Sequence, residues 1–88
     1  MNGWVYILKL NNDRYYIGST SNIENRIIDH QSGKSTYTSK FLPVKLLFKH
    51  EYHTYAEAKN VEMKLKKMKS KKIIDKIVKN QKLNIKIS

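Results

Sequence analysis

The apolar positions in the first half of the chain are arranged as short β-strands separated by polar turns. The runs WVYILKL at 4–10 and RYYIG at 14–18 are rich in β-branched and aromatic residues, which favour strands. The turn signal NND at 11–13 lies between them and predicts an antiparallel hairpin. A third strand is predicted over 44–52, after a polar loop at 32–43.

Three other segments combine a polar capping residue with apolar positions three and four apart, the pattern of amphipathic helices. The predicted first helix runs from 22 to 31, with Ser21 as its cap and Gly33 beyond its end. The second and third helices are predicted to begin after Thr54 and Ser70. The order ββαβαα predicts an α+β fold in which helices pack on a small three-stranded antiparallel sheet.

Neither an internal repeat nor a linker rich in Gly, Ser or Pro divides the 88 residues. We therefore expect one domain over 1–80, followed at 81–88 by a tail or a short added strand. The apolar stretches are far shorter than the ~18 residues that span a bilayer, and the amino terminus lacks the apolar segment of a secretory leader. These features predict a cytoplasmic protein with no membrane partner, which we expect to be monomeric.

The charge and the cysteine content limit the classes of function that the chain can have. The absence of cysteine excludes disulfides, thiolate metal sites and cysteine nucleophiles. Eighteen basic and seven acidic residues give a net charge of +11, and most of it falls within 59–88. Such a concentration of lysine attracts a phosphate backbone, which favours a nucleic-acid partner. A lysine-rich proteome with a solvated helical face would give the same composition.

Five side chains are candidates for chemistry, although each has a simpler structural explanation. Tyr6 and Tyr16 lie on the two hairpin strands and can reach the same face of the sheet if the register allows it. Arg26 and His30 are four residues apart on the first helix, so they project side by side. Glu62 lies at the edge of the apolar stripe of the second helix. Taken singly, a strand tyrosine usually packs, and a helical histidine or carboxylate is usually solvated.

Taken together, these positions resemble the GIY-YIG nuclease family. The second signature element is intact as YIG at 16–18, whereas the first appears as WVY at 4–6, in which only the tyrosine matches. Similarity to the small single-domain bacterial branch continues in R-x3-H-x2-GK-x2-YT at 26–38, PVKL at 43–46 and EA-x3-E at 57–62. That branch is related to the amino-terminal incision domain of nucleotide-excision-repair nucleases. The resemblance spans roughly residues 3–75.

The resemblance implies a metal-dependent endonuclease that hydrolyses DNA phosphodiester bonds with one divalent ion, Mg²⁺ or Mn²⁺, in DNA repair or recombination. Glu62 would hold the ion, a role that suits a hard cation bound through one carboxylate. Tyr6 and Tyr16 would contact the attacking water and the scissile phosphate. Arg26 would hold the phosphate oxygens with its planar fork, and His30 would transfer a proton or orient water.

The general base stays open between Tyr6 and His30. The resemblance favours Tyr6, but a free phenol has a pKa near ~10. An imidazole, with a pKa of ~6.5, accepts a proton more readily at neutral pH. On the nucleic-acid side, Lys34 and Tyr37 are expected to line the pocket together with Arg26.

Two other functions remain open. One is a nucleic-acid-binding module of the same fold that is catalytically weak or inactive, since fold alone does not decide activity. The other is a basic structural protein of a ribonucleoprotein, in which the five candidate side chains would be scattered. The sequence identifies no attached DNA-binding domain, so a partner protein that confers specificity is a further possibility.

Overall fold

The computed structural model describes residues 2–83, and this part of the chain has the predicted ββαβαα order. The elements are β1 (Gly3–Lys9), β2 (Tyr15–Thr20), α1 (Ile23–Ser32), β3 (Lys45–Tyr52), α2 (Tyr55–Met68) and α3 (Lys71–Asn80). The predicted loop before β3 also contains a short 3₁₀ helix at Thr38–Phe41. Most of the segment predicted as a tail or added strand, 84–88, lies outside the described residues. Between residues 2 and 83, none of the helices has the length and apolarity needed to cross a bilayer.

The sheet has the order β2-β1-β3, and both neighbouring pairs are antiparallel. This confirms the predicted α+β fold. In the hairpin register, Tyr6 is opposite Gly18 and Leu8 is opposite Tyr16. Because side chains alternate between faces along a strand, this register places Tyr6 and Tyr16 on one face of the sheet. β1 is the central strand, and β2 is an edge strand.

Apolar side chains cover both faces of the sheet and form two cores. On one face, the sheet packs against α2 and α3 through Val5, Ile7, Phe48, Ala58, Val61, Leu65, Ile74 and Ile77. On the other face, the buried cluster comprises Tyr6, Leu8, Leu10, Ile23 and Val44. Consecutive residues of β1 therefore serve opposite cores, which explains why its sequence is apolar almost throughout.

The helix caps follow the sequence pattern with one exception. Thr54 and Ser70 cap α2 and α3 as predicted, each side chain accepting a backbone N–H of the first turn. The predicted cap of α1, Ser21, is wrong. Asn22 occupies that position, and its side-chain oxygen accepts the Asn25 N–H at 3.1 Å. The capping-box spacing to Glu24 favoured Ser21, but asparagine is as good a cap as serine and needs no glutamate three residues later.

Candidate active site

Tyr6 lies across the hairpin, directly above Gly18. A Cβ atom placed on Gly18 would lie 2.4 Å from both Cζ and the hydroxyl oxygen of Tyr6. Only a residue without a side chain allows the ring to pack in this position, where 1% of Tyr6 is exposed. The glycine of the YIG motif thus has a steric role, since it accommodates the tyrosine of the preceding strand.

A buried chain of polar groups leads inward from Tyr6. Its hydroxyl oxygen lies 2.8 Å from Nε2 of His30, and Nδ1 of the same ring lies 2.8 Å from Oγ1 of Thr38. His30 comes from the last turn of α1, and Thr38 begins the 3₁₀ helix. His30 and Thr38 have no exposed surface. Both ring nitrogens of His30 are therefore occupied by hydroxyl groups, which fixes the orientation of the imidazole.

Burial sets the charge state of this chain. It raises the pKa of Tyr6 to about 12, although the nearby Arg26 guanidinium acts in the opposite direction. It lowers the pKa of His30 to about 4, and the positive charge of Arg26 adds to that effect. Both groups are accordingly neutral at pH 7. In the tautomer with a proton on Nδ1, the phenol donates to Nε2 and Thr38 accepts from Nδ1.

Arg26 and Tyr16 complete the cluster on this face of the sheet. Arg26 is half-buried on α1, and its interaction with the Tyr6 hydroxyl raises the pKa of the guanidinium against the effect of burial. The ring centroid of Tyr16 lies 6.4 Å from that of Tyr6 and 5.1 Å from that of His30. Four of the five predicted site residues thus come from β1, β2 and α1 and meet in one place.

Tyr37 and Lys34 come from the segment that follows α1. The Tyr37 ring stacks on Tyr16 with a centroid distance of 5.8 Å, and 52% of its surface is exposed. This contact places an exposed aromatic ring at the rim of the cluster. Lys34 is exposed immediately after Gly33, which ends α1 in the left-handed conformation as predicted. Binding of nucleic acid by Lys34 and Tyr37 stays a prediction.

Glu62 approaches β2 from the opposite side. It lies on α2, is 4% exposed, and accepts a hydrogen bond from the hydroxyl of Ser19. Ser19 follows Gly18 on β2, so the edge strand separates the carboxylate from the Tyr6 ring. The charge of Glu62 nevertheless contributes to the raised pKa of Tyr6. The fifth predicted residue is therefore close to the cluster but on the other face of the sheet.

Two lysines of α2 also contact the Glu62 carboxylate. Nζ of Lys66 lies 2.7 Å from Oε2, and Nζ of Lys59 lies 3.4 Å from Oε1. Burial raises the pKa of the carboxyl, but hydrogen bonds from Lys66 and Ser19 and the charges of both lysines outweigh it, so the pKa lies below its ordinary value. Glu62 is therefore ionised at neutral pH.

The oxygen donors around Glu62 fit a hard divalent cation. The set comprises an ionised carboxylate and the hydroxyl of Ser19, both of which suit Mg²⁺ or Mn²⁺. No group of three or more His, Cys, Asp and Glu side chains capable of holding a metal occurs among residues 2–83. An ion at this site would consequently depend on one protein carboxylate and take most of its ligands from water or from a substrate phosphate.

The structure adds three residues to the site that sequence analysis did not single out for a role. Thr38 belongs to the YT pair of the family resemblance, but its contact with His30 depends on the path of the 3₁₀ helix. Ser19 immediately follows YIG, and its contact with Glu62 depends on how α2 packs. Lys66 could have been found from spacing alone, because a lysine four residues after a glutamate is placed to pair with it on a helix.

Comparison with known proteins identifies the family of the chain. The family model of the GIY-YIG catalytic domain matches residues 2–75, which include every residue of the cluster and Glu62. The chain belongs to the GIY-YIG family. The resemblance seen in the sequence is thereby confirmed, and the matched range includes the altered first signature element at 4–6.

Relatives of this GIY-YIG chain include small proteins of similar length. It is 34% identical to a UPF0213 protein of Streptococcus pneumoniae over 83 residues, which cover 93% of the chain and 84% of that protein. It is 33% identical to the UPF0213 protein YazA of Bacillus subtilis, over 81% of the chain and 73% of YazA. The solution NMR structure of a UPF0213 protein of Bacillus halodurans superposes with a TM-score of 0.60 at 30% identity, covering 92% of this chain and 86% of that one. None of these names states an activity.

Proposed function

We propose that this GIY-YIG chain is a metal-dependent DNA endonuclease that hydrolyses phosphodiester bonds. The observation that carries the proposal is the convergence of Tyr6, Tyr16, Arg26 and His30 in one cluster, with ionised Glu62 across the edge strand. Phosphodiester hydrolysis needs a positive group for the phosphoryl oxygens, a proton acceptor for water and a site for a divalent ion. This arrangement offers each of them.

Arg26 is the group that would hold the scissile phosphate. Its guanidinium is always charged and presents several donors in one plane, which matches the geometry of phosphate oxygens. It comes from the same helix as His30 and lies close to both tyrosines. Preorganised positive charge of this kind commonly contributes ~3–4 kcal/mol to the stabilisation of a transition state.

Tyr6 and His30 would together accept the proton of the attacking water. With a pKa of about 12, roughly one Tyr6 in 10⁵ is ionised at pH 7, so the phenol needs a neighbouring acceptor. His30 Nε2 lies 2.8 Å away and is unprotonated in the tautomer described above. As water transfers its proton to the Tyr6 oxygen, the phenolic proton passes to His30. The positive charge of Arg26 lowers the pKa of His30. A phosphate bound to Arg26 would offset that charge, so His30 would accept the proton more readily.

Glu62 would hold the divalent ion, with Ser19 beside it as a second oxygen donor. When bound, such an ion acts as a Lewis acid on phosphoryl oxygens and orients the substrate. A protein that supplies one carboxylate relies on water and substrate oxygens for the remaining ligands, and Mg²⁺ tolerates that arrangement well. Incision of this kind is required in DNA repair and recombination, which is where we place the protein.

A nucleic-acid-binding module without catalysis is the second candidate. It is favoured by the ion pair between Lys66 and Glu62, because an ammonium group already occupies one oxygen of the only carboxylate assigned to the metal. The net charge of +11 would support binding without any chemistry. The two functions differ in one measurable respect, namely metal-dependent strand scission.

The deciding experiment is a cleavage assay at low salt on supercoiled, branched and single-stranded DNA, with Mg²⁺, Mn²⁺ or EDTA. We expect scission that requires the metal and is lost in Glu62→Gln and Arg26→Ala. Matched controls are Arg14→Ala and Glu51→Gln, which change the other arginine and an exposed carboxylate outside the cluster. Both controls should retain activity.

The opposite result is equally informative. Salt-sensitive DNA binding without scission of any substrate, with or without metal, would reject the endonuclease and establish the binding module. Scission that persists in Glu62→Gln would instead remove the metal role of that carboxylate. Circular dichroism of each variant would show that the fold is intact, so that loss of activity is assigned to the site.

A further inference from the structure

The carboxylate of Glu62 is bracketed by positive charge from its own helix. Lys59 precedes it by three residues and Lys66 follows it by four, so both lysines share its face of α2. The side chain of Glu62 is 5% exposed, whereas those of Lys59 and Lys66 are 47% and 52% exposed. A nearly buried anion is thus covered by two cations that reach it from the surface.

In this arrangement both oxygens of Glu62 already have partners. Oε2 is held by Lys66 at 2.7 Å, and Oε1 is shared between the Ser19 hydroxyl and Lys59. A divalent ion on the same carboxylate would lie close to the Lys66 ammonium, and repulsion between the two cations favours displacement of Lys66. A buried carboxylate is costly without a compensating cation, so the displaced ammonium has to be replaced by the metal at the same moment.

We propose that Lys66 occupies the position of the metal in the free protein, where it neutralises Glu62. When a divalent ion binds Glu62, Lys66 moves to a nucleic-acid phosphate. This proposal rests on the function proposed above. Its flexible stem and compact ammonium group suit such an exchange. The partners of this exchange are a divalent cation for Glu62 and a phosphodiester for Lys66. Because DNA would draw Lys66 away from the carboxylate, DNA and metal would strengthen each other's binding, a linkage that is reciprocal by necessity.

Lys66 is better suited to this role than Lys59. Its contact with the carboxylate is shorter, 2.7 Å against 3.4 Å, and its hydrogen bond is a larger cause of the lowered pKa of Glu62. Lys59 also shares its oxygen with Ser19, whose hydroxyl would remain after Lys59 moved. Removal of Lys66 should therefore open the metal site more than removal of Lys59, which makes Lys59 a matched control.

The first test is a titration of the free protein with Mn²⁺, followed by calorimetry and by the EPR signal of the unbound ion. We expect Lys66→Met, which keeps the length of the side chain without the charge, to bind Mn²⁺ at least ~5-fold more tightly than the parent chain. Lys59→Met should change the affinity less, and Glu62→Gln should abolish binding. Lys66→Gln provides a second variant if methionine disturbs the fold. An unchanged or weaker Mn²⁺ affinity in a folded Lys66 variant overturns the proposal.

The second test measures binding of a fluorescent DNA duplex in EDTA, where no metal competes. Glu62→Gln should raise DNA affinity because it releases Lys66, and it should raise it less when Lys66→Met is already present. If the effects of Glu62→Gln and Lys66→Met on DNA affinity are additive, the exchange is contradicted. The same cycle with Lys59→Met in place of Lys66→Met gives the reference value for the coupling. Neither measurement requires cleavage. The endonuclease hypothesis can therefore be rejected while the exchange of Lys66 is supported, and the exchange can be rejected in a chain that cuts DNA.

Discussion

The hydroxyl oxygen of Tyr6 on β1 and Nε2 of His30 on α1 lie 2.8 Å apart in the protein interior, although the two residues are 24 positions apart in sequence. Burial of either side chain without the other would lower the stability of the fold, because an unpaired polar group away from water is destabilising. Thr38 satisfies the second ring nitrogen. The three hydrogen-bonding groups therefore form one network whose geometry is fixed before any substrate binds.

Replacing Tyr6 with phenylalanine tests this network directly. The ring that packs over Gly18 is kept, but the acceptor at His30 Nε2 loses its partner. If the hydroxyl takes the proton of water, Tyr6→Phe should lower the rate of DNA cleavage by ~10²–10⁴-fold. The free energy of unfolding should fall by about 1–3 kcal/mol, because a buried acceptor is left unsatisfied. Chemical denaturation and single-turnover cleavage measure the two effects separately.

Tyr15→Phe is the control for that variant. Tyr15 lies on β2, the strand paired with that of Tyr6, but its hydroxyl donates to Asp75 of α3, away from the cluster. We expect its removal to leave cleavage unchanged. Equal rates for Tyr6→Phe and the parent chain would show that the hydroxyl has only a structural role.

Thr38 acts through His30 and is therefore a positioning residue. Thr38→Val keeps the shape of the side chain and removes the hydroxyl, so Nδ1 of the buried imidazole is left without a partner. We expect a changed His30 tautomer in the ¹⁵N NMR spectrum and a displaced pH profile of cleavage, both rescued by Thr38→Ser. A loss of stability with an unchanged tautomer would limit Thr38 to packing.

His30 should make the stability of the protein depend on pH. Burial, reinforced by the charge of Arg26, lowers its pKa in the folded protein to about 4, whereas the unfolded chain has a value near ~6.5. The unfolded state therefore binds more protons between these values, and stability is lost as the pH falls from 6.5 towards 4. The expected loss is about 3 kcal/mol across this window.

The measurement is the free energy of unfolding at several pH values for the parent chain and for His30→Phe. The variant lacks the group that titrates, so its stability should depend less steeply on pH between 6.5 and 5. Glu62 also has a lowered pKa and loses its contribution towards the acidic end, in both proteins alike. Parallel curves for the two proteins would contradict a buried neutral His30.

The sequence was sufficient for the fold because its signals are local. The strand patterns, the capping residues and the glycine after α1 each act within a few residues, so the order of the elements could be predicted. The sequence left open whether the register would put Tyr6 and Tyr16 on one face, and the observed register does so. Helical spacing alone placed Arg26 and His30 together, and in the structure both lie beside Tyr6.

The parts that sequence analysis left open depend on packing between elements. Which side of β2 Glu62 occupies depends on α2 covering the face opposite the tyrosines. The contact of His30 with Thr38 depends on a 3₁₀ helix inside a segment predicted as a loop. The charge states of Tyr6 and His30 follow from burial, which periodicity does not quantify.

The steric role of Gly18 gives a final prediction. Its backbone is outside the left-handed region, since among the described glycines only Gly33 has a positive φ, so alanine is conformationally acceptable at this position. The cost of Gly18→Ala should come instead from the Tyr6 ring, whose atoms would lie 2.4 Å from the new methyl group. We expect a loss of about 1–3 kcal/mol in the free energy of unfolding, as for other overpacked sites.

Tyr6→Leu identifies the source of that cost, because the shorter side chain removes the ring atoms that the alanine would meet. In this background Gly18→Ala should destabilise the protein clearly less than it does in the parent chain, when both are measured by urea denaturation. Coupling of this kind between residues in direct contact is typically ~0.5–3 kcal/mol. An equal cost in both backgrounds would mean that β2 itself, rather than the tyrosine, requires the glycine. The YIG motif would then have to be explained without reference to Tyr6.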